Sequence, residues 1–239
     1  MRPMIPKVFV LHVRKGYEER ERHINSMMHK AGIDFEYVLA CDIPDLTPEI
    51  IEKTIAPEGM LAGKPAAISC LMKHLHAYSL ILERDLPGAI ILEDDILLYP
   101  NFKDIAIHAL GELGDTDEAS IISFEDTRLR FVKGSVRQKG KVLYPGICDR
   151  FAGAYYINRA GAEAVLQNVK QNRAELPIDL LHNHMLNAGE LKYYWTHPCT
   201  ASQGSFNGLF TSSLSASDRS KAFVWRLQRM YKKLLYRLR

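Results

Sequence analysis

An α/β domain on a mostly parallel sheet flanked by helices is what the sequence predicts, and three observations predict it. Short apolar, β-rich runs bounded by Gly, Pro or charge recur along the chain, at residues 7–13, 35–40, 88–92, 120–124 and 192–195. Between them lie stretches with helical spacing, as in Ala67, Leu71, Leu75, Tyr78 and Leu82. Alternation of the two patterns over 239 residues, with no internal repeat, implies one large domain whose parallel strands are joined by helices.

In order, the first strand at 7–13 leads through the basic segment Arg14-Lys15-Gly16 into a charged helix over 18–31, which Gly32 ends. A second strand at 35–40 ends at Cys41-Asp42, and Thr47-Pro48-Glu49 opens a short helix with an N-cap and a first-turn Pro. A core helix over 66–84 runs into the strand at 88–92. The strand at 120–124 ends at Glu125-Asp126, and the basic stretch 128–141 reads as an irregular, mobile loop. A strand at 150–157, an Ala-rich helix at 159–170, a helix from Pro177-Ile178-Asp179 to Asn187 and the last strand at 192–195 follow.

The most informative stretch is Ile90-Ile91-Leu92-Glu93-Asp94-Asp95, where a buried strand discharges into three carboxylates. Adjacent anions repel and lose solvation unless a cation joins them, and ligands of open α/β sheets bind at the carboxyl ends of strands. Mg²⁺ or Mn²⁺ bridging these carboxylates and a nucleotide diphosphate meets both demands; an acidic turn facing water is the alternative. No P-loop, Gly-x-Gly-x-x-Gly or Gly-x-Ser-x-Gly motif occurs. A metal-assisted transfer from a nucleotide-activated donor is what remains. Arg14 and Arg20 are candidate diphosphate contacts or a solvated turn, and Asp42 either touches the nucleoside, uridine under the resemblance given below, or its ribose, or merely ends its strand.

Cys41, Cys70, Cys148 and Cys199 form no C-x-x-C pair, so zinc is not expected and the thiols read as reduced. With no signal-like apolar segment and no run long enough to span a bilayer, a cytoplasmic protein is expected. Residues 219–239 hold eight basic residues and no acidic one, against 23 basic and 28 acidic in the rest. On a helical wheel, Phe223, Leu227, Met230, Tyr231, Leu234 and Leu238 share one side. Arg226, Arg229, Lys232, Lys233, Arg237 and Arg239 take the other, with Trp225 and Tyr236 among them. This suits an interfacial helix on anionic lipid, placing the protein at the inner face of the cell membrane; a helix docked on its own domain or on a partner subunit is the alternative. No recognition motif accompanies the charge, so nucleic acid is not an expected partner. The expected division is a domain over 1–215 and a basic amphipathic tail over 216–239.

The segments Cys70-Leu71-Met72-Lys73-His74-Leu75-His76 and Leu92-Glu93-Asp94-Asp95 resemble bacterial glycosyltransferase family 25, which includes lipooligosaccharide galactosyltransferases. Gly153-Ala154-Tyr155-Tyr156-Ile157, Pro177-Ile178-Asp179 and the stretch from Pro198 through Gln203 to Ser212-Ser213 are similar to further stretches of that family. The resemblance covers about residues 7 to 215. It implies a GT-A-type fold and inverting transfer from a UDP-sugar, classically UDP-galactose, to a lipopolysaccharide, lipooligosaccharide or capsule glycan. Under it, Asp95 is the direct ligand of Mn²⁺ or Mg²⁺, Glu93 or Asp94 the second contact, and His197 a further metal ligand or a plain loop residue. His74 is a donor contact or a helix histidine against the sheet. Asp179 is the candidate general base, or a helix cap, and Asp126 the runner-up. Where the family has Gly-Glu-x-Gly-Cys-x-x-Ser-His, this chain has Ala66-Ala67-Ile68-Ser69-Cys70-Leu71-Met72-Lys73-His74. A lysine touching the donor would favour a more anionic or different sugar, and the same departure admits an inactive module that binds glycan or lipid.

Overall fold

A computed structural model describes residues 4–207, 210 and 219–239. Strand β1 (Lys7–Leu11) pairs in parallel with β2 (Glu36–Val38) and β3 (Gly88–Glu93). Antiparallel β7 (Ala154–Asn158) lies between β3 and β5 (Ser120–Ser123). The sheet continues in parallel to β8 (Lys192–Thr196) and closes on antiparallel β6 (Leu143–Pro145). Its order is β2-β1-β3-β7-β5-β8-β6, so five of the seven strands point one way. The mostly parallel sheet predicted from the alternating pattern is present.

Alternating side chains of the strands feed two cores. Phe9, Leu11, Ile91, Ile121, Tyr155 and Ile157 pack on one face. There they meet α3 (Pro65–Glu83), α5 (Arg159–Asn172) and α6 (Ile178–Asn187). Val8, Val10, Ile90, Leu92 and Ile122 pack on the other, with α1 (Glu18–Ala31) and α4 (Phe102–Leu113). Helix ends follow local chemistry. Gly32 adopts φ +59° after α1, and the N–H groups of Gly32 and Ile33 donate to the carbonyls of His29 and Met28. Thr47 Oγ1 accepts from Ile50 N at the start of α2 (Pro48–Thr54), as its sequence predicts.

Several expectations need correction. The strand expected at 150–157 starts only at Ala154, after Phe151 turns the chain at φ +74°, and it runs antiparallel. Helix α4 and the three-residue strand β6 were not foreseen. The resumed apolar run becomes β4 (Ile96–Leu98), which pairs with β9 (Ala201–Gln203) in a small separate sheet. The basic stretch 128–141 is not a bare loop: Phe131 and Val132 are buried. Helix α8 (Arg219–Leu238) packs beside this stretch, with Tyr236 edge-on to Phe131 at 5.8 Å. Ser212 and Ser213 lie outside the described residues. The four cysteines are free, and no helix among the described residues is long and apolar enough to cross a membrane.

Candidate active site

The parallel register sets Leu11 of β1 against Glu93 of β3, so the residues that follow each strand meet at one sheet edge. His12 Nδ1 lies 2.8 Å from Asp94 Oδ2, and Arg20 Nη1, from α1, donates to Asp94 Oδ1 at 2.7 Å. Both oxygens of Asp94 are therefore spent on tying β1 and α1 to the acidic turn. The Asp94 carboxylate is thus already paired inside the protein.

Glu93 and Asp95 are different. Glu93 Oε2 accepts from Gln203 Nε2 at 2.9 Å, while Oε1 faces Cys70 Sγ at 3.8 Å and His74 Nε2 at 3.5 Å. Asp95 is buried, and its Oδ1 has no hydrogen-bond partner among the described residues. Burial raises both carboxyls above their ordinary range, and neighbouring carboxylates push them further, Asp94 for Glu93 and Glu93 for Asp95. Arg20 offsets part of this from its bond to Asp94.

Behind Glu93 runs a buried polar chain. His74 Nδ1 meets Tyr155 Oη at 2.7 Å, Tyr155 bonds to Tyr78, and Tyr78 Oη meets His182 Nε2 at 3.0 Å. Burial lowers the His74 and His182 pKa values to about 3, so both rings are neutral. Asp179 occupies the first turn of α6, half-buried. Burial and then the charge of Asp149 raise its pKa, and Glu93 adds to the effect, so Asp179 shares the electrostatic surroundings of the acidic turn.

Other expected residues fall elsewhere. Arg14 bonds through Nε to Asp42 Oδ2 at 2.9 Å and pairs with Asp45, while Lys73 Nζ lies 2.7 Å from Asp42 Oδ1 and 2.8 Å from Ala40 O. These ion pairs hold the tip of β2 closed, next to Cys41 at φ +67° and the 2.6 Å bond from Ser69 Oγ to its carbonyl. Lys73 is therefore a buried support for the β2 tip rather than a group that reaches for the donor, and Arg14 and Asp42 neutralise one another. Asp126 is buried and bonded to Arg229 Nε at 2.7 Å, with Lys233 Nζ at 3.5 Å, so two cations of α8 face the runner-up base. Around His197, burial and then the charges of Arg137, Arg150 and Lys233 lower the pKa to about 4, surroundings that repel a cation. No set of three clustered metal-ligating side chains among the described residues includes Asp95 or His197.

Sequence reasoning missed three contributors. His12 was hidden in an apolar strand, and Gln203 sits 110 residues from Glu93. Glu125 is fully buried, accepting from Gly153 N at 2.5 Å, Ala154 N at 2.9 Å and Thr127 Oγ1 at 2.7 Å, and burial raises its pKa strongly. An acid two residues past a strand was its only sequence signal.

Comparison with known proteins places this geometry. A protein of Haemophilus influenzae (strain ATCC 51907 / DSM 11121 / KW20 / Rd), named "Putative glycosyltransferase", is 27% identical over 175 residues, covering 69% of this chain and 58% of that protein. A Drosophila melanogaster "Glycosyltransferase 25 family member" is 24% identical over 134 residues, covering 53% of this chain and 22% of that protein. The chain thus spans less than two thirds of either relative. A crystal structure of a glycosyltransferase involved in glycosylating the major capsid of PBCV-1 aligns with 96% of this chain and 100% of that one, at 9% identity and a TM-score of 0.42. The model of glycosyltransferase family 25 (LPS biosynthesis protein) matches residues 6–182, taking in β1, the acidic turn and Asp179 alike, and so this chain belongs to that family.

Proposed function

We propose that the chain is an inverting glycosyltransferase, moving a sugar from a UDP-sugar, galactose foremost, to a lipopolysaccharide, lipooligosaccharide or capsule glycan with Mn²⁺ or Mg²⁺ at the end of β3. The observation that carries this reading is the pair Glu93, partly buried, and Asp95, buried: both carboxyls have raised pKa, and among the described residues no cation is bonded to either and Asp95 Oδ1 is unpartnered. Such a donor set fits a hard divalent cation, and Glu93 and Asp95 would hold it. When bound, the cation offsets the charge that grows on the departing diphosphate.

The chain's own residues do the rest. Asp94 fixes the turn by bonding His12 and Arg20, so Glu93 and Asp95 are held in place before a donor arrives. Asp179 takes the proton of the acceptor hydroxyl; its raised pKa makes it a stronger base than an exposed aspartate. The test is release of UDP from a panel of UDP-sugars with Mn²⁺ or with a chelator. Metal-dependent release lost at least about 100-fold in Asp95→Asn, with the fold retained, supports the reading. Absence of both turnover and binding for every nucleotide sugar overturns it and favours the inactive glycan-binding module.

Helix α8 supports membrane association in an unexpected orientation. Trp225, Arg229 and Tyr236 face the body, whereas Phe223, Leu227, Met230, Tyr231, Leu234 and Leu238 are exposed. The exposed cations Arg226, Lys232, Arg237 and Arg239 share the helix with this apolar row, the pattern of a helix lying on anionic lipid. Vesicles containing phosphatidylserine should retain the protein in flotation, and a Leu227→Ser, Met230→Ser, Leu234→Ser variant should be released; equal flotation of the two rejects this placement.

A further inference from the structure

We propose that Cys70, His74 and Glu93 form a binding site for a thiophilic divalent cation of the zinc class, distinct in chemistry from the hard-cation position at the acidic turn. Cys70 and His74 lie one turn apart on the same face of α3, and that face meets the end of β3. Both aim at a single atom, Glu93 Oε1, from 3.8 Å and 3.5 Å, and the three ligand atoms all lie within 4.8 Å of one another. Tetrahedral coordination with metal–ligand bonds of about 2.0–2.3 Å sets neighbouring ligand atoms about 3.3–3.5 Å apart. The spacing is thus near that of a metal triad, and a slight inward movement completes it.

The histidine gives the independent sign of a ligand. His74 is fully buried, and its Nε2 has no hydrogen-bond partner among the described residues although it points into the cluster. Its other nitrogen, Nδ1, is anchored by Tyr155 at 2.7 Å. A ring fixed through one nitrogen, with the second presented bare, is the arrangement in which metal-bound histidines are held. Glu93 is oriented likewise, through Gln203 on its far oxygen. Thiolate, imidazole and carboxylate together select a borderline-soft cation over Mg²⁺ or Ca²⁺, which prefer oxygen alone. Cys70 and Glu93 are only partly buried, so the fourth position opens toward solvent and admits water. Binding displaces the thiol proton from Cys70. Because Glu93 serves both positions, a thiophilic cation and the hard cation compete for it; the geometric argument for this site does not depend on the transferase reading.

The experiment uses the full chain, stripped with a chelator and titrated with Co²⁺ and then Zn²⁺. Co²⁺ should produce a thiolate-to-metal charge-transfer band that Zn²⁺ abolishes by displacement, at one equivalent per chain. Cys70→Ser should remove the band and weaken Zn²⁺ binding at least about tenfold, while Cys148→Ser changes neither. In the wild-type protein, where folding of a variant is not in question, Zn²⁺ should protect Cys70 from alkylation as read by mass spectrometry. Absence of both the band and the protection overturns the site, as does a band that survives in Cys70→Ser. Sugar transfer is not read in any of these measurements, so failure of the donor assay leaves them standing and the reverse also holds.

Discussion

Glu93, Asp94 and Asp95 are adjacent in sequence, yet their surroundings assign them different work. Asp94 receives His12 and Arg20 and becomes a strut, whereas Glu93 and Asp95 keep charge that nothing in the described protein neutralises directly. Their folded pKa values are raised, so protonation favours the folded state. The stabilisation is complete below the ordinary carboxylate range, about 4, and is lost as pH rises toward neutrality. In chelator, the Tm of the wild-type protein should fall relative to Glu93→Gln between pH 5 and pH 8, and saturating Mn²⁺ should close that gap. A parallel pair of Tm curves would show that burial of Glu93 carries no cost. The neutral histidines act in the opposite direction. His74 and His182 have pKa values lowered to about 3, so their stabilisation holds above the usual histidine value, about 6.5, and is lost as pH falls below it. Destabilisation on acidification below about pH 6 should therefore be smaller in His182→Gln, measured by urea unfolding, than in the wild-type protein.

Elements whose ends carry local chemistry were legible. Helix α1 begins and ends where its charged run and Gly32 say, and Thr47 caps α2 as its side chain dictates. Strand β6 and the antiparallel sense of β7 were not legible, since a three-residue strand has almost no periodicity and strand direction leaves no mark on alternation. Gly88 shows how tightly β3 and β7 approach. A Cβ there would press on Tyr156 Oη and lie 2.5 Å from Ile157 O, so Gly88→Ala meets backbone that cannot yield. A loss of about 1–3 kcal/mol is expected by denaturant unfolding, and an unchanged midpoint would mean that the two strands separate more easily than their packing implies.

Across the whole molecule, the tail is part of the domain's packing. Arg229 pairs with buried Asp126, and Trp225 Nε1 donates to Thr127 O at 3.1 Å, so these two turn inward while the apolar row and the cations Arg226, Lys232, Arg237 and Arg239 stay exposed. Removing one partner of a buried pair costs about 3–5 kcal/mol. Arg229 is about a quarter exposed, which screens the pair and brings the expected loss for Arg229→Ala to about 1–3 kcal/mol. Asp126→Asn, which removes the buried charge itself, should cost less; equal Tm values for Arg229→Ala and wild type would reject the clamp.

By itself the sequence determined the strands and helices with strong periods, the two-faced core and the concentration of acid at the end of β3, because each is written in neighbouring residues. Only the tertiary structure decided which carboxylate is neutralised, that Lys73 supports the β2 tip, and that α8 turns Arg229 inward onto Asp126. Those outcomes rest on partners 82 residues apart for His12 and Asp94 and 103 apart for Asp126 and Arg229. A charge has the same appearance in sequence whether it meets water, a metal or a distant counter-ion, and the folded chain alone brings one of them to it.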